Sequence, residues 1–381
     1  MLELLTAFRK ELHQYPELSG QEEKTAKRVQ SFLNQHAPPD RWLENVGGHG
    51  LVAIYDYSDD GPTIMIRCEL DALPIIETND FEYQSLNHGV SHKCGHDGHI
   101  SMVVGIALYL KSKIFDRGRI ALLFQPAEET GRGAHRVCND QRFKELRPDC
   151  IFALHNIPGR PLHSISIVPN YFSATVQSFS VQLTGKESHA AEPHIGINPA
   201  ASISQLISKF SELNHADPLS EKYSVLTPVY INIGSRNYGI SPGMGELHYT
   251  IRTWSVIEMN QLKNAIERIV NDVVSSEGLA HDIRWFEYFP SAKNDKSLNQ
   301  IVSEVAENNG FNFEVEKHPF KFGEDFGWFS DDHKVCMFGL GSGNDCPSLH
   351  HADYDFPDEL LPTGIAMFTD IIENYFSLSS R

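Results

Sequence analysis

His92-Lys93-Cys94-Gly95-His96-Asp97-Gly98-His99 places one thiol, three imidazoles and one carboxylate within eight residues. Cys94 and His96 are two apart, so an extended backbone turns both side chains to one side, and a thiolate beside an imidazole suits zinc or a neighbouring first-row ion. The apolar run over 100–110 reads as a buried helix, with Asp97 as its expected N-cap. Capping needs Asp97 alone and gives no reason for Cys94, His96 and His99 together. The passage therefore reads as a metal-binding loop fixed at the head of a buried helix.

Around this loop, short apolar runs alternate with helical patterns. Leu2, Leu5, Phe8 and Leu12 recur at helical spacing, which predicts an amphipathic helix ending before Pro16 and, after it, a second helix over 22–35. Runs over 63–68, 120–124, 150–154 and 335–340 read as buried strands of an α/β sheet. They lead into Glu69-Leu70-Asp71, Glu128-Glu129, His155-Asn156 and a Gly/Ser loop before His350-His351. Open α/β sheets bind ligands at the carboxyl ends of their strands, so these residues are expected to meet at one edge. Over 174–290 the order becomes strand, helix, strand, strand, helix, strand, an inserted α+β unit with one exposed sheet face. The expected division is a discontinuous catalytic domain, 1–173 and 291–381, around an insert at 174–290.

The 381 residues suit about two domains. With 32 basic against 50 acidic residues, a net charge of -18 and no Lys/Arg-rich run, nucleic acid and anionic membranes are poor partners and a small molecule is the expected one. No apolar stretch is long enough for a bilayer and the start carries no export pattern. Six cysteines without CxxC spacing read as reduced thiols in a cytoplasm.

Cys94, His96, Glu129, His155 and His350 are the candidate ligands. They are too many for one tetrahedral zinc and suit two divalent ions that share a ligand, with the Cys94 thiolate as bridge. Consecutive side chains of an extended segment diverge, so Glu129 is expected to bind metal while Glu128 faces the water as general base. That arrangement predicts hydrolysis of a C–N bond. His155 alone would be an ordinary hydrogen-bonded strand-end residue, and only the assembly makes it a candidate.

Six ordered motifs carry a resemblance: Arg67-Cys68-Glu69-Leu70-Asp71-Ala72-Leu73-Pro74, Cys94-Gly95-His96-Asp97-Gly98-His99, Phe124-Gln125-Pro126-Ala127-Glu128-Glu129, His155-Asn156, Gly185 to His194 (GKESHAAEPH), and His350 followed by Tyr354-Asp355-Phe356. Over nearly its whole length the chain resembles the co-catalytic metallopeptidase family of aminoacylases and carboxypeptidase G, within it the branch of hippurate hydrolases, N-acyl-amino-acid amidohydrolases and auxin-conjugate hydrolases. The resemblance implies an α/β fold: a mixed-sheet di-metal catalytic domain flanked by helices, with an inserted α+β ferredoxin-like lid that mediates homodimerisation. It implies two divalent ions (Zn, Mn, Co or Ni) on the same five ligands and Glu128 as acid and base. It further implies His194, or His189 in its place, as oxyanion donor, Asn237 and Arg252 as holders of the substrate carboxylate, and Glu69 and Asp71 as carboxylates behind the ligands. Glu69 departs from the aspartate usual in that branch and reaches one methylene farther; Thr130, Arg132 and Ala352 also depart. The expected activity is removal of an acyl group from an N-acyl amino acid. A metallo-dipeptidase or exopeptidase is the rival within enzymes. A catalytically inactive metal-containing binding protein is the rival outside them, and the intact Glu128 argues against it.

Overall fold

In the computed structural model, which describes residues 1–58, 60–275 and 277–379, the apolar runs become the middle of one sheet. The chain opens with α1 (Leu2–Gln14), α2 (Glu23–His36), β1 (Arg41–Val46), β2 (Gly50–Asp56), β3 (Thr63–Glu69), α3 (His96–Leu110) and β4 (Arg119–Gln125). There follow α4 (Gly133–Asn139), α5 (Gln141–Leu146), β5 (Cys150–Ile157) and β6 (Ile165–Ile167). The insert supplies β7 (Thr175–Thr184), β8 (Ser188–His189), α6 (Ala200–Ser211), β9 (Ser224–Ile233), β10 (Ile240–Ser241), β11 (Met244–Thr253), α7 (Val256–Val274) and β12 (Ala280–Phe289). The chain returns through α8 (Lys296–Asn308), β13 (Phe313–Val315), a 3-10 helix (Asp325–Asp331), β14 (Lys334–Gly341) and α9 (Leu360–Ser379).

Two compact units result. The first holds residues 1–172, 292–317 and the described residues from 324 onward; the second holds 173–291 and 318–323. The short segment 318–323 joins the second because the Ala174 N–H donates to Phe320 O at 2.8 Å. Among the described residues no helix is long and apolar enough to cross a membrane.

The first unit's sheet has the order β1-β2-β4-β3-β5-β14-β6-β13. Its central strands β4, β3, β5 and β14 run parallel to one another and are buried along nearly their whole length. Parallel strands covered on both faces need apolar side chains on both, which is why they read as continuous runs. Four parallel neighbours finish at one edge, which carries their following loops to a common place. α3 is buried on almost every side and packs with Leu5, Phe8 and Leu12 of α1 and Ile365 and Phe368 of α9 in one core.

One expectation at its head is corrected. Asp97 does not cap α3; the helix starts at His96, and the preceding Gly95 is left-handed at φ 92°. Glycine takes that conformation without steric cost, so the helix begins two residues earlier than a cap at Asp97 would allow. The Asp97 carboxylate instead accepts from Gly98 N–H at 3.0 Å and bonds His13 Nδ1 at 2.7 Å.

The second unit is a four-stranded antiparallel sheet, β12-β7-β11-β9. The core beneath α6 and α7 includes Phe179, Leu206, Phe210, Leu247, Ile266 and Val270. Its element order is the one read from the sequence, with β8 and β10 added as a separate two-stranded pair. β9 lies at the edge with Val229, Tyr230 and Ile231 exposed.

Candidate metal centre

The parallel central strands β3, β4, β5 and β14 lead to the candidates at their common edge. β3 ends at Glu69 and leads to Asp71; the loop before α3 supplies Cys94, and the first helical residue supplies His96. β5 contains His155. Beyond β4, Ala127 adopts φ 54° and turns the chain immediately before Glu128, and His350 itself sits at φ 65°. Non-glycine residues pay for left-handed backbone, and such strain persists where surrounding structure enforces it. Around His350 that structure includes its N–H donating to Lys93 O at 2.7 Å, which ties the last loop to the residue before Cys94.

The donor atoms meet in three overlapping groups. Those of Cys94, His96 and His155 lie within 4.8 Å of one another, as do those of Cys94, Glu129 and His350, and those of His96, Glu128 and Glu129. Cys94 belongs to two of these groups, the position a shared ligand needs. The expectation that Glu128 and Glu129 diverge is corrected: they occupy a turn, and both reach toward His96 Nε2, with Glu128 Oε2 and Glu129 Oε1 each 3.9 Å away. Glu129 Oε2 is also 3.7 Å from His350 Nε2.

The donors fit divalent ions. His96 Nδ1 donates to Asp71 O at 2.8 Å and His155 Nδ1 to Asn156 O at 2.9 Å. A carbonyl only accepts, so both rings aim Nε2 at the cluster, the nitrogen a metal takes when Nδ1 is so held. His96 Nε2 and Glu129 Oε1 are buried with no hydrogen-bond partner, an arrangement that is costly unless something else satisfies them. The electrostatics point the same way. Burial, then Glu129, Glu128 and Glu69, push the Cys94 thiol well up. Burial, with Glu324, Glu129 and Asp325, pushes Glu128 well above the carboxylate range, and burial lifts Glu129 to about 7 although His96 opposes it. His155 is pushed down to about 3 by burial and by His99, which keeps its ring neutral. His96 is held protonated up to about 10, because Asp71, Glu69 and Glu129 outweigh its burial. The protein groups by themselves thus call for added positive charge, which a divalent ion supplies while converting thiol to thiolate.

Other side chains brace this cluster. Asp71 accepts from Ser19 Oγ at 2.6 Å and from the Glu129 N–H at 3.0 Å. His99 bonds Glu69 Oε2 and Asn156 Oδ1, each at 2.7 Å, so both its nitrogens are engaged. Glu324 and Asp325, not singled out in the sequence, pair with the buried Arg67. Their partners stand 257 and 258 residues away, a separation that carries no local signal.

The remaining candidates belong to the second unit. His189 lies in β8 opposite Ile240 and accepts from the Ala191 N–H at 3.0 Å. His194 is exposed on the 3-10 helix Pro193–Ile195. Asn237 is exposed and accepts from the Gly239 N–H at 3.2 Å. Arg252 is half-buried on β11, its Nε donating to Lys321 O at 3.0 Å.

Comparison with known proteins places these residues in context. Residues 65–374 match the model of peptidase family M20/M25/M40. An N-acetyl-L-cysteine deacetylase of Bacillus subtilis is 31% identical over 91% of this chain and 82% of its own length. An N-acetyldiaminopimelate deacetylase of Priestia megaterium is 30% identical over 96% of this chain and 97% of its own. Among solved structures, a Bacillus subtilis protein described as a dinuclear metal-binding peptidase of the M20 family superposes with a TM-score of 0.84 at 26% identity, covering 99% of this chain and 98% of that one.

Proposed function

This hydrolase belongs to peptidase family M20/M25/M40, and we propose that it removes the acyl group from N-acyl amino acids, releasing a carboxylic acid and a free amino acid. The convergence of Cys94, His96, Glu128, Glu129, His155 and His350 carries the proposal, and the deacetylase relatives favour acetyl and similar small acyl groups.

Cys94, His96, Glu129, His155 and His350 would hold two divalent ions of the Zn, Mn, Co or Ni type, Cys94 being common to both. Ions bound there lower the pKa of water and polarise an amide carbonyl. Glu128, whose proton affinity is raised by burial and neighbouring carboxylates, takes a proton from the attacking water and returns it to the leaving amine. To the second unit's His194 we assign donation to the developing oxyanion, with His189 as the alternative donor. Arg252 and Asn237 receive the substrate carboxylate, a task suited to a planar guanidinium and an amide. The exposed edge strand β9 supports a homodimer through the second unit, and six free cysteines suit a reducing cytoplasm.

The test is release of free amino acid from N-acetyl, N-benzoyl and other N-acyl amino acids beside dipeptides, using chelator-stripped protein with and without restored Zn, Mn, Co or Ni. Metal-dependent release from acylated substrates is the expected result. Preference for dipeptides would replace this reading by a peptidase, and no release from folded, metal-loaded protein would overturn it.

A further inference from the structure

A buried ionic cluster stands beside Glu128. Arg67 is almost wholly buried; its Nε donates to Gln125 Oε1 at 2.9 Å, its Nη1 pairs with Glu69, and its Nη2 donates to Glu324 Oε1 and Asp325 Oδ1 at 2.9 Å each. The Asp325 carboxylate also accepts from Gln125 Nε2 at 2.8 Å and from the Ala134 N–H at 2.8 Å. With every side-chain oxygen so occupied, the residue has little freedom to turn. Its own backbone N–H points at Glu128 Oε1, 3.4 Å away, while Glu128 Oε2 faces His96 Nε2.

Glu128 therefore uses its two oxygens differently. The carboxylates of Glu324, Asp325 and Glu128 lie within 4.8 Å of one another, and mutual repulsion alone would swing Glu128 to another rotamer. On that flank the Asp325 N–H is a hydrogen-bond donor to Glu128, with the Arg67 guanidinium attracting it from farther off, and a backbone amide is only as well placed as the side chain that anchors it. Catalytic hydrogen bonds are often long before substrate binds and tighten with it.

We propose that Asp325 is a positioning residue for Glu128: its carboxylate, clamped by Arg67, Gln125 and Ala134, fixes the amide that keeps Glu128 Oε2 turned toward the ligand cluster. This rests on Glu128 being the base. Arg67 and Gln125 act one step farther out, through Asp325.

The experiment compares kcat and KM of metal-loaded Asp325→Asn, Glu128→Asp and the double variant, with metal content and thermal unfolding recorded for each. Asparagine keeps the shape of the side chain but, whichever way its amide turns, sets a donor against one or more of the donors that clamp Asp325. The expected result is a fall in kcat of about 10- to 100-fold, the range a displaced catalytic group produces, with KM and metal content within about twofold of the parent. Aspartate at 128 is too short to reach the Asp325 amide, so Asp325→Asn should add less than about threefold in that background, the signature of residues acting as a unit. Gln125→Met, which removes the donor to Asp325 and the acceptor of Arg67 Nε without changing charge, should lower kcat in the same direction and guards against an Asp325 variant that fails to fold. Unchanged kcat in Asp325→Asn, a loss explained by metal content or KM, or a full multiplicative loss in the double variant would each overturn the proposal. Turnover retained by Glu128→Gln would instead overturn the choice of base, and this proposal with it.

Discussion

Gly95 meets two demands at once. Its φ of 92° is one that side chains rarely adopt, and a Cβ there would stand 2.7 Å from Asn156 Oδ1 and 2.9 Å from the Tyr354 hydroxyl. Gly95→Ala is expected to destabilise the fold by about 1–3 kcal/mol and, because Gly95 separates Cys94 from His96, to weaken metal binding. Thermal unfolding with metal titration checks this; wild-type values for both would show that the loop gives way cheaply. Glu69 poses the opposite question, since it is longer than the aspartate of the resembling branch. Its length lets it pair with Arg67 while accepting from His99 at 2.7 Å. Glu69→Asp can keep only one of these contacts, and a buried polar group left without its partner costs about 1–3 kcal/mol. A lowered urea midpoint at unchanged slope is the expected readout, and an unchanged midpoint would show that the shorter side chain still spans both.

At the scale of elements, α1 is held by charge to the segment that carries Cys94 and His96. His13 bonds Asp97 Oδ2 at 2.7 Å through Nδ1 and Glu77 Oε1 at 2.9 Å through Nε2, and two carboxylate partners require a ring protonated on both nitrogens. Although burial opposes that charge, Asp97 and Glu77 raise His13 from 6.5 to about 9. A raised pKa in the folded chain means stability that is fully present below about pH 6.5 and is lost as pH climbs through about 9, on the order of 3 kcal/mol for this shift. Unfolding midpoints of chelator-treated protein across that interval should therefore slope downward, with the raised His96 and Glu128 adding to the slope, and His13→Asn should make it shallower; a variant with the parental slope would assign it wholly to those other groups. Legibility in the sequence follows from whether a signal is local. The central strands were readable because both faces are buried, and the inserted unit because its alternating strands change the period. β1 and β13 were not, since their residues are mostly exposed or half-buried and carry no apolar run. At the site the clustered residues were readable as types, since Cys94 and His96 are near in sequence, whereas Asp97's partnership with His13 and Arg67's with Glu324 join residues 84 and 257 positions apart, which no local pattern encodes.

For the whole molecule, the second unit's edge strand bears on assembly. An edge strand presents unpaired backbone groups that template pairing with another chain, and natural proteins usually blunt it with charge. β9 carries Pro228 and a register shift beside it but no charged residue, and Val229 is 61% and Ile231 40% exposed, with Tyr230 between them at 52%. Val229 and Ile231 are two apart and share a sheet face, and two copies of β9 related by a twofold axis would bring identical surfaces together, as an isologous dimer needs. Against this stands the charge of -18 on each chain, which opposes association at long range but is screened within about 10 Å at 0.1 M salt. Screening weakens the repulsion and leaves apolar burial, which does not depend on charge, in place, so the dimer is expected to tighten as salt rises from about 0.01 M to 0.1 M, where the screening length falls from about 30 Å to 10 Å. Val229→Lys with Ile231→Lys places two charges on the edge strand and should yield a monomer; Ile231 stands opposite the buried Leu247, so a modest fall in thermal stability is expected with it. Light scattering behind a sizing column, at both salt concentrations, reads both effects. A parent chain that is monomeric throughout would remove the dimer, and a double-lysine variant that still dimerises would move the interface away from β9.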